Sequence, residues 1–304
     1  MPIKNALSLF LCAFIWGTAF VAQSVGMDYM GPLTFNGIRF LMGALVLLPV
    51  VAVRRNAAKR RIARGDSRVP SYSVKRTIAS GAVVGAVLFS ASTLQQLALQ
   101  TADVGKAGFI TAMYIVIVPA AAFFMTRKFF PRVWLCVLIA IAGLYFLCVS
   151  KEAATVLTGA DILLLLCSCL FAGHIVCVDK LGAAVDGIEL SFVQFVMAGL
   201  IGTILALFLE QPTGAELAAG MVPLLYAGVM SSGVAYTLQI VGQKGADPTI
   251  ASLIMSLESV ISVLAGWALL GQTLSGRELF GCALMFAAIV IVQLPGKEKK
   301  SAFS

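Results

Sequence analysis

A chain of 304 residues that is 60% hydrophobic, 12% charged and +0.97 in mean hydropathy carries more apolar surface than one soluble core can hide, which excludes an ordinary soluble domain. The net charge of +8 does not point to nucleic acid, because the basic residues gather in a few short loops without aromatic interleaving. The seven cysteines (Cys12, Cys136, Cys148, Cys167, Cys169, Cys177 and Cys282) all fall in apolar runs without thioredoxin or zinc spacing; they are expected to be small buried hydrophobes, with no metal and no cofactor.

Residues 6–24 form the first apolar run, and Lys4 ahead of it gives it some look of a signal peptide. Nine further runs favour a retained first span. They cover 33–53, 76–97, 104–125, 132–149, 160–178, 188–208, 221–241, 248–270 and 278–294. Each is close to the ~20 residues that a span requires, so the reading predicts ten transmembrane helices, with 132–149 and 278–294 the short ones. With the N-terminus inside, nearly all Lys and Arg fall in the inner loops, leaving Lys106, Lys151 and Arg277 outside and Arg39 within the second span. The expectation is a multi-pass protein of the cell (plasma) membrane with both termini cytoplasmic. The loop at 54–76 sets nine basic residues against Asp66 and is expected to rest on anionic lipid headgroups.

The chain repeats itself. An offset of 155 places Leu9, Leu11, Cys12, Val21, Phe40 and Met42 over Leu164, Leu166, Cys167, Val176, Phe195 and Met197. An offset of 144 then places Gln95, Ala102, Asp103, Ala107 and Ile110 over Gln239, Ala246, Asp247, Ala251 and Ile254. Five spans is an odd number, so the second copy must cross the membrane in the opposite sense. The predicted fold is an all-α integral membrane protein of two inverted five-helix repeats, residues 1–150 and 151–304, the second ending in a short cytoplasmic tail.

Within the ninth span an ionisable carboxylate, Glu258, stands in the middle of an apolar run. A continuous helix there would hold it near the centre of a bilayer, at a cost of several kcal/mol unless it is protonated, paired or wetted. Steps of three and four from Ala251 give a face of Ser252, Met255, Glu258, Ser259, Ser262, Ala265 and Gly266, small or polar except for the methionine. The other face, Ile250, Leu253, Leu257, Val260, Leu264 and Trp267, is bulky and expected to meet lipid, which turns Glu258 towards the interior. Under the repeat Glu258 overlies Tyr114.

Other polar residues at membrane depth are candidates for the same interior. Trp16, Gln95, Tyr114, His174, Tyr236, Gln239 and Glu258 are taken as candidate substrate contacts. Glu258 and His174 are candidates for proton coupling, packing being the plainer role for a lone histidine. For Arg39, pairing or snorkelling to the surface is the plainer role and contact with an anionic substrate the sharper one. The spacing of Gly81 and Gly85 fits a close helix contact.

Three stretches carry a resemblance: WGTAF at Trp16–Phe20, PLTFNGIRF at Pro32–Phe40, and SLESVISVLAGWALLGQ at Ser256–Gln272. In these the chain resembles a ten-helix, EamA-type member of the drug/metabolite transporter superfamily. It departs in having Ser259 where members often have Pro, and Gln272 where they often have Glu. The resemblance implies secondary transport that exports small metabolites, amino acids or amphipathic drugs. The expected partners are a small-molecule substrate and the lipid bilayer, with a coupling proton and a homodimer left open and no nucleic acid. No Walker sequence marks an ATP site. A sugar-phosphate or nucleotide-sugar exchanger would need several deep cations where only Arg39 is available. An intramembrane enzyme would need a catalytic set, and neither HExxH nor GxSxG occurs, so an enzyme is not expected.

Overall fold

The computed structural model describes residues 1–64, 66, 72–102, 104–127, 130–148, 158–270 and 275–293. Arg68, Asp103, Lys128, Lys151, Gln272 and Lys297, Lys299 and Lys300, which enter the reading above, lie outside the described residues, as does the expected boundary at 150. Among the described residues all regular structure is helical. The helices are α1 (Ile3–Gly26), α2 (Pro32–Ala63), α3 (Val74–Ala98), α4 (Val104–Thr111), α5 (Tyr114–Thr126), α6 (Pro131–Cys148), α7 (Gly159–Gly182) and α8 (Gly187–Leu209). Then come the short α9 (Gly214–Ala219), a rod of α10 (Met221–Leu225), a π-helix π1 (Tyr226–Tyr236) and α11 (Thr237–Gln243), and finally α12 (Pro248–Met255), α13 (Glu258–Leu270) and α14 (Gly276–Gln293).

Among the described residues eight rods are long and apolar enough to cross a membrane: α1, α2, α3, α4 with α5 over Ala107–Thr126, α7, α8, α10 to α11, and α12 with α13 over Pro248–Leu269. The shorter α6 and α14 pack along one another. Leu45, Leu138 and Phe208 are 68%, 63% and 76% exposed, an apolar outer surface that suits acyl chains.

Local chemistry sets several helix starts. The Asp186 carboxylate accepts from the N–H groups of Ile188 and Glu189 at the start of α8; Asp247 does the same for Thr249 and Ile250 ahead of Pro248 at the start of α12. Small residues set the closest crossings. A Cβ on Gly202 of α8 would lie 2.8 Å from the Gly37 Cα of α2, and one on Gly85 of α3 would lie 2.5 Å from the Gln194 carbonyl oxygen of α8. Gly81 and Gly85 therefore do mark a helix contact.

Four expectations need correction. The ninth run is not one helix: it breaks at Ser256–Leu257, where the N–H groups of Leu257 and Ser259 turn to acceptors three residues back instead of four. Most of its bulky face is turned inward and not to lipid, since Leu253, Leu257 and Val260 are buried. The rod stands among α1, α4, α5, α6 and α7, and only its far end emerges, where Trp267 is 55% exposed. The second span does not stop at 53, because α2 runs on through Arg- and Ala-rich sequence to Ala63, ~15 Å further. Arg54, Arg55 and Arg61 of that extension pair with Asp186, Glu189 and Asp66. Of the cysteines, Cys169 is exposed and Cys177 half-buried.

Candidate functional site

Two broken rods meet at the centre of the bundle. α4 gives way to α5 at Ala112–Met113, and α12 to α13 at Ser256–Leu257, so Tyr114 and Glu258 are each the first residue of the helix after a break. The small faces touch there: the Ser259 hydroxyl donates to the Gly108 carbonyl oxygen at 3.0 Å, and the Tyr114 hydroxyl donates to Glu258 Oε1 at 2.9 Å. Glu258 is 4% exposed and has no ion pair among the described residues. Its position at the start of α13 gives it the positive end of that helix dipole.

Around this pair lies a cavity between α1, α2, α3, α4, α7, π1 and α11. Tyr114, Glu258, Gln95 and Gln239 line it with Thr111 and Ser231. Gln95 Nε2 donates to Thr111 Oγ1 at 3.3 Å. Trp16, Tyr236, Phe20, Phe171 and Ile175 supply apolar wall. Trp16 meets the Tyr236 ring edge-on with centroids 4.6 Å apart, and its indole N–H has no partner. Gly17 does not face the cavity but lets α1 approach α13: a Cβ there would lie 2.7 Å from the Glu258 carbonyl oxygen.

Arg39 also lines the cavity, together with Gln23. At 1% exposure it does not snorkel; its Nη1 donates to Gln23 Oε1 at 2.8 Å, and its guanidinium stacks 4.7 Å from the Phe40 centroid. The side chain is too deep to reach the surface from the seventh position past Pro32, and no described carboxylate pairs with it.

His174 is the sequence candidate that the cavity leaves out. It is fully buried on α7, with Nε2 at 3.2 Å from Gln194 Oε1 and its ring edge-on to Tyr236 at 6.0 Å. It therefore backs the wall instead of forming it. Gln23, Thr111 and Ser231 were not among the sequence candidates. Gln23 carried a readable signal, an amide deep in an apolar span, whereas Ser231 depends on the wider winding of π1.

Residues 3–149 and again residues 158–294 match the EamA-like transporter family. An "uncharacterized transporter" of Archaeoglobus fulgidus is 27% identical over 290 residues, 95% of this chain and 85% of that relative. The Escherichia coli K12 "uncharacterized inner membrane transporter YedA" is 23% identical over 299 residues, 97% of this chain and 91% of that relative. The Bacillus subtilis "uncharacterized transporter YoaV" is 21% identical over 292 residues, 94% of this chain and 96% of that protein. A crystal structure superposes with a TM-score of 0.74 at 16% identity, covering 97% of this chain and 98% of the other.

Proposed function

Because the chain belongs to the EamA-like transporter family, we propose that it is a secondary transporter that exports a small organic solute by alternating access through the central cavity. In this reading ten helices form two inverted halves, residues 1–150 and 151–304, with both termini cytoplasmic. The observation that carries it is the junction of two broken rods at a cavity with polar groups set in an apolar and aromatic wall. Discontinuous helices meeting at mid-depth are how inverted-repeat transporters build a binding site.

The pairing of the helices supports the two-fold relation. Exchange the first rod with the sixth, the second with the seventh, and so on, and the contacts of α3 with α7 and α8 become those of the α10 to α11 rod with α1 and α2. The breaks at 112–113 and 256–257 differ by 144, the offset read from the sequence. The ends of α2 and α8 follow the same rule at an offset of 155. Arg55 pairs with Glu189 at one end of the two helices; at the other, the equivalent Glu210 accepts from Thr34 Oγ1 at 2.6 Å and from the Leu33 and Thr34 N–H groups. Two matches to one family domain, 3–149 and 158–294, point the same way.

Substrate contact is assigned to Trp16, Gln95, Tyr114, Tyr236, Gln239 and Glu258, with His174 behind them. Glu258 is the proposed proton-coupling group because it is the carboxyl among the cavity-lining residues. A sugar-phosphate exchanger fits less well, since Arg39 is the sole cation among those residues. Counterflow of radiolabelled amino acids and lipophilic solutes in proteoliposomes tests the reading. Saturable exchange that loses its pH dependence in Glu258→Gln is expected; exchange unaltered in that variant at every pH removes the coupling role.

A further inference from the structure

We propose that Arg39 is a docking point for a carboxylate, so that the solute is a small organic acid with an apolar or aromatic body. The inference rests on the transporter reading and names the chemistry of its substrate. Three sides of the guanidinium are occupied. Its Cζ lies over the Phe40 ring, 4.7 Å from the centroid, and over the Phe35 ring at 5.7 Å, and Nη1 is tied to Gln23 Oε1 at 2.8 Å. The Gln23 backbone carbonyl in turn accepts from Gln96 Nε2 at 2.9 Å, which ties α1 to α3 beside the pair. What is left is one edge: Nε and Nη2 are buried and have no partner, on a residue that lines the cavity.

That edge is a two-pronged donor. Elsewhere in the chain Arg55 uses the same two atoms, Nε at 2.7 Å and Nη2 at 2.9 Å, to hold both oxygens of the Glu189 carboxylate. A planar pair of oxygens matches the fork, and a buried guanidinium without a counter-charge is costly until one arrives. Glu258 is not that counter-charge, being held by Tyr114 on α5. A single fork compensates one negative charge, and Arg39 is the only cation among the described lining residues, which favours a carboxylate over a dianionic phosphate. The wall beside it, Trp16, Phe20, Phe171 and Tyr236, suits a hydrophobic body.

The test uses the purified full chain and matched probes that share one body: 3-phenylpropionate, its amide, phenethylamine and phenethyl phosphate, with a second set built on a hexyl chain. Binding is followed by thermal shift and by quenching of tryptophan fluorescence. The acid of at least one set is expected to bind on the order of tenfold or more tighter than its amide, amine or phosphate, since hydrogen bonds to charged groups are among the strong ones. Arg39→Gln should abolish that ratio, and Arg39→Lys, which keeps the charge without the fork, should retain only part of it. The comparison on the unaltered protein needs no variant, so a misfolded Arg39→Gln does not spare the proposal. Acid and amide binding alike, no acid binding, or a ratio preserved in Arg39→Gln overturns it. Exchange of neutral or cationic solutes with no preference for acids would defeat this inference and leave transport standing. Acid binding without exchange of any solute would do the reverse.

Discussion

Removing the Tyr114 hydroxyl isolates the bond that joins the two broken rods. Tyr114→Phe leaves the ring and its packing but deprives Glu258, 4% exposed, of the partner at 2.9 Å. An unpartnered buried acceptor costs about 1–3 kcal/mol in water-soluble proteins, whereas interhelical hydrogen bonds in membranes average about 0.6 and reach about 2 kcal/mol, because helices separated in the bilayer find other partners. The membrane figure governs here, and we expect Tyr114→Phe to destabilise by about 1 kcal/mol. Glu258→Met removes the other partner at similar length, and the pair of substitutions closes a cycle. Reversible unfolding in mixed micelles, titrated with dodecyl sulfate, gives the four free energies. A coupling of about 1 kcal/mol is expected, above the ~0.3–0.5 kcal/mol within which independent sites add. Additive effects would mean that the contact does not hold the rods together.

Two glycines make a matched comparison. Gly17→Ala places a methyl 2.7 Å from the Glu258 carbonyl oxygen and should cost about 1–3 kcal/mol, while Gly173→Ala on α7 meets nothing within 4 Å and should be neutral or stabilising by up to about 1 kcal/mol, both read by thermal unfolding. Glu210→Ala removes the carboxylate that takes three donors at the start of α2 and should cost about 0.5–2 kcal/mol, seen as faster amide exchange at Leu33 and Thr34; unchanged exchange would contradict the cap. Arg55→Ala breaks the pair with Glu189, whose side chains are 45% and 18% exposed, and should cost only about 0.2–1 kcal/mol, less as salt rises, in the same unfolding assay.

The polar residues in apolar runs were the legible part of the candidate site. Trp16, Gln95, Tyr114, Tyr236, Gln239 and Glu258 stand out in apolar runs, and all six line one cavity. His174 stands out equally and backs the wall, because polarity at depth says nothing of which neighbour satisfies it. The start of α12 was legible in Asp247–Pro248. The breaks were not: neither Ala112–Met113 nor Ser256–Leu257 contains Gly or Pro, and at the second it is the Ser256 hydroxyl, bonded back to the Leu253 carbonyl oxygen at 2.8 Å, that competes with the helix. Leu253, Leu257 and Val260 misled for a related reason. Lipid tails are as apolar as leucine, so a bulky face reads the same against acyl chains as inside a bundle. Arg39 could be placed in its span from sequence, but its free edge depends on Gln23 and Phe40 arriving from two sides.

The exchange of access between two sides is tested most directly at Gln239, on the cavity wall. A single cysteine there, in a chain whose seven native cysteines are replaced, can be offered a membrane-impermeant maleimide from either face of inverted and right-side-out vesicles. The account predicts labelling from both faces, with a transported solute shifting the balance between them. Labelling from one face alone under every condition, or only by a lipid-soluble maleimide, would contradict it.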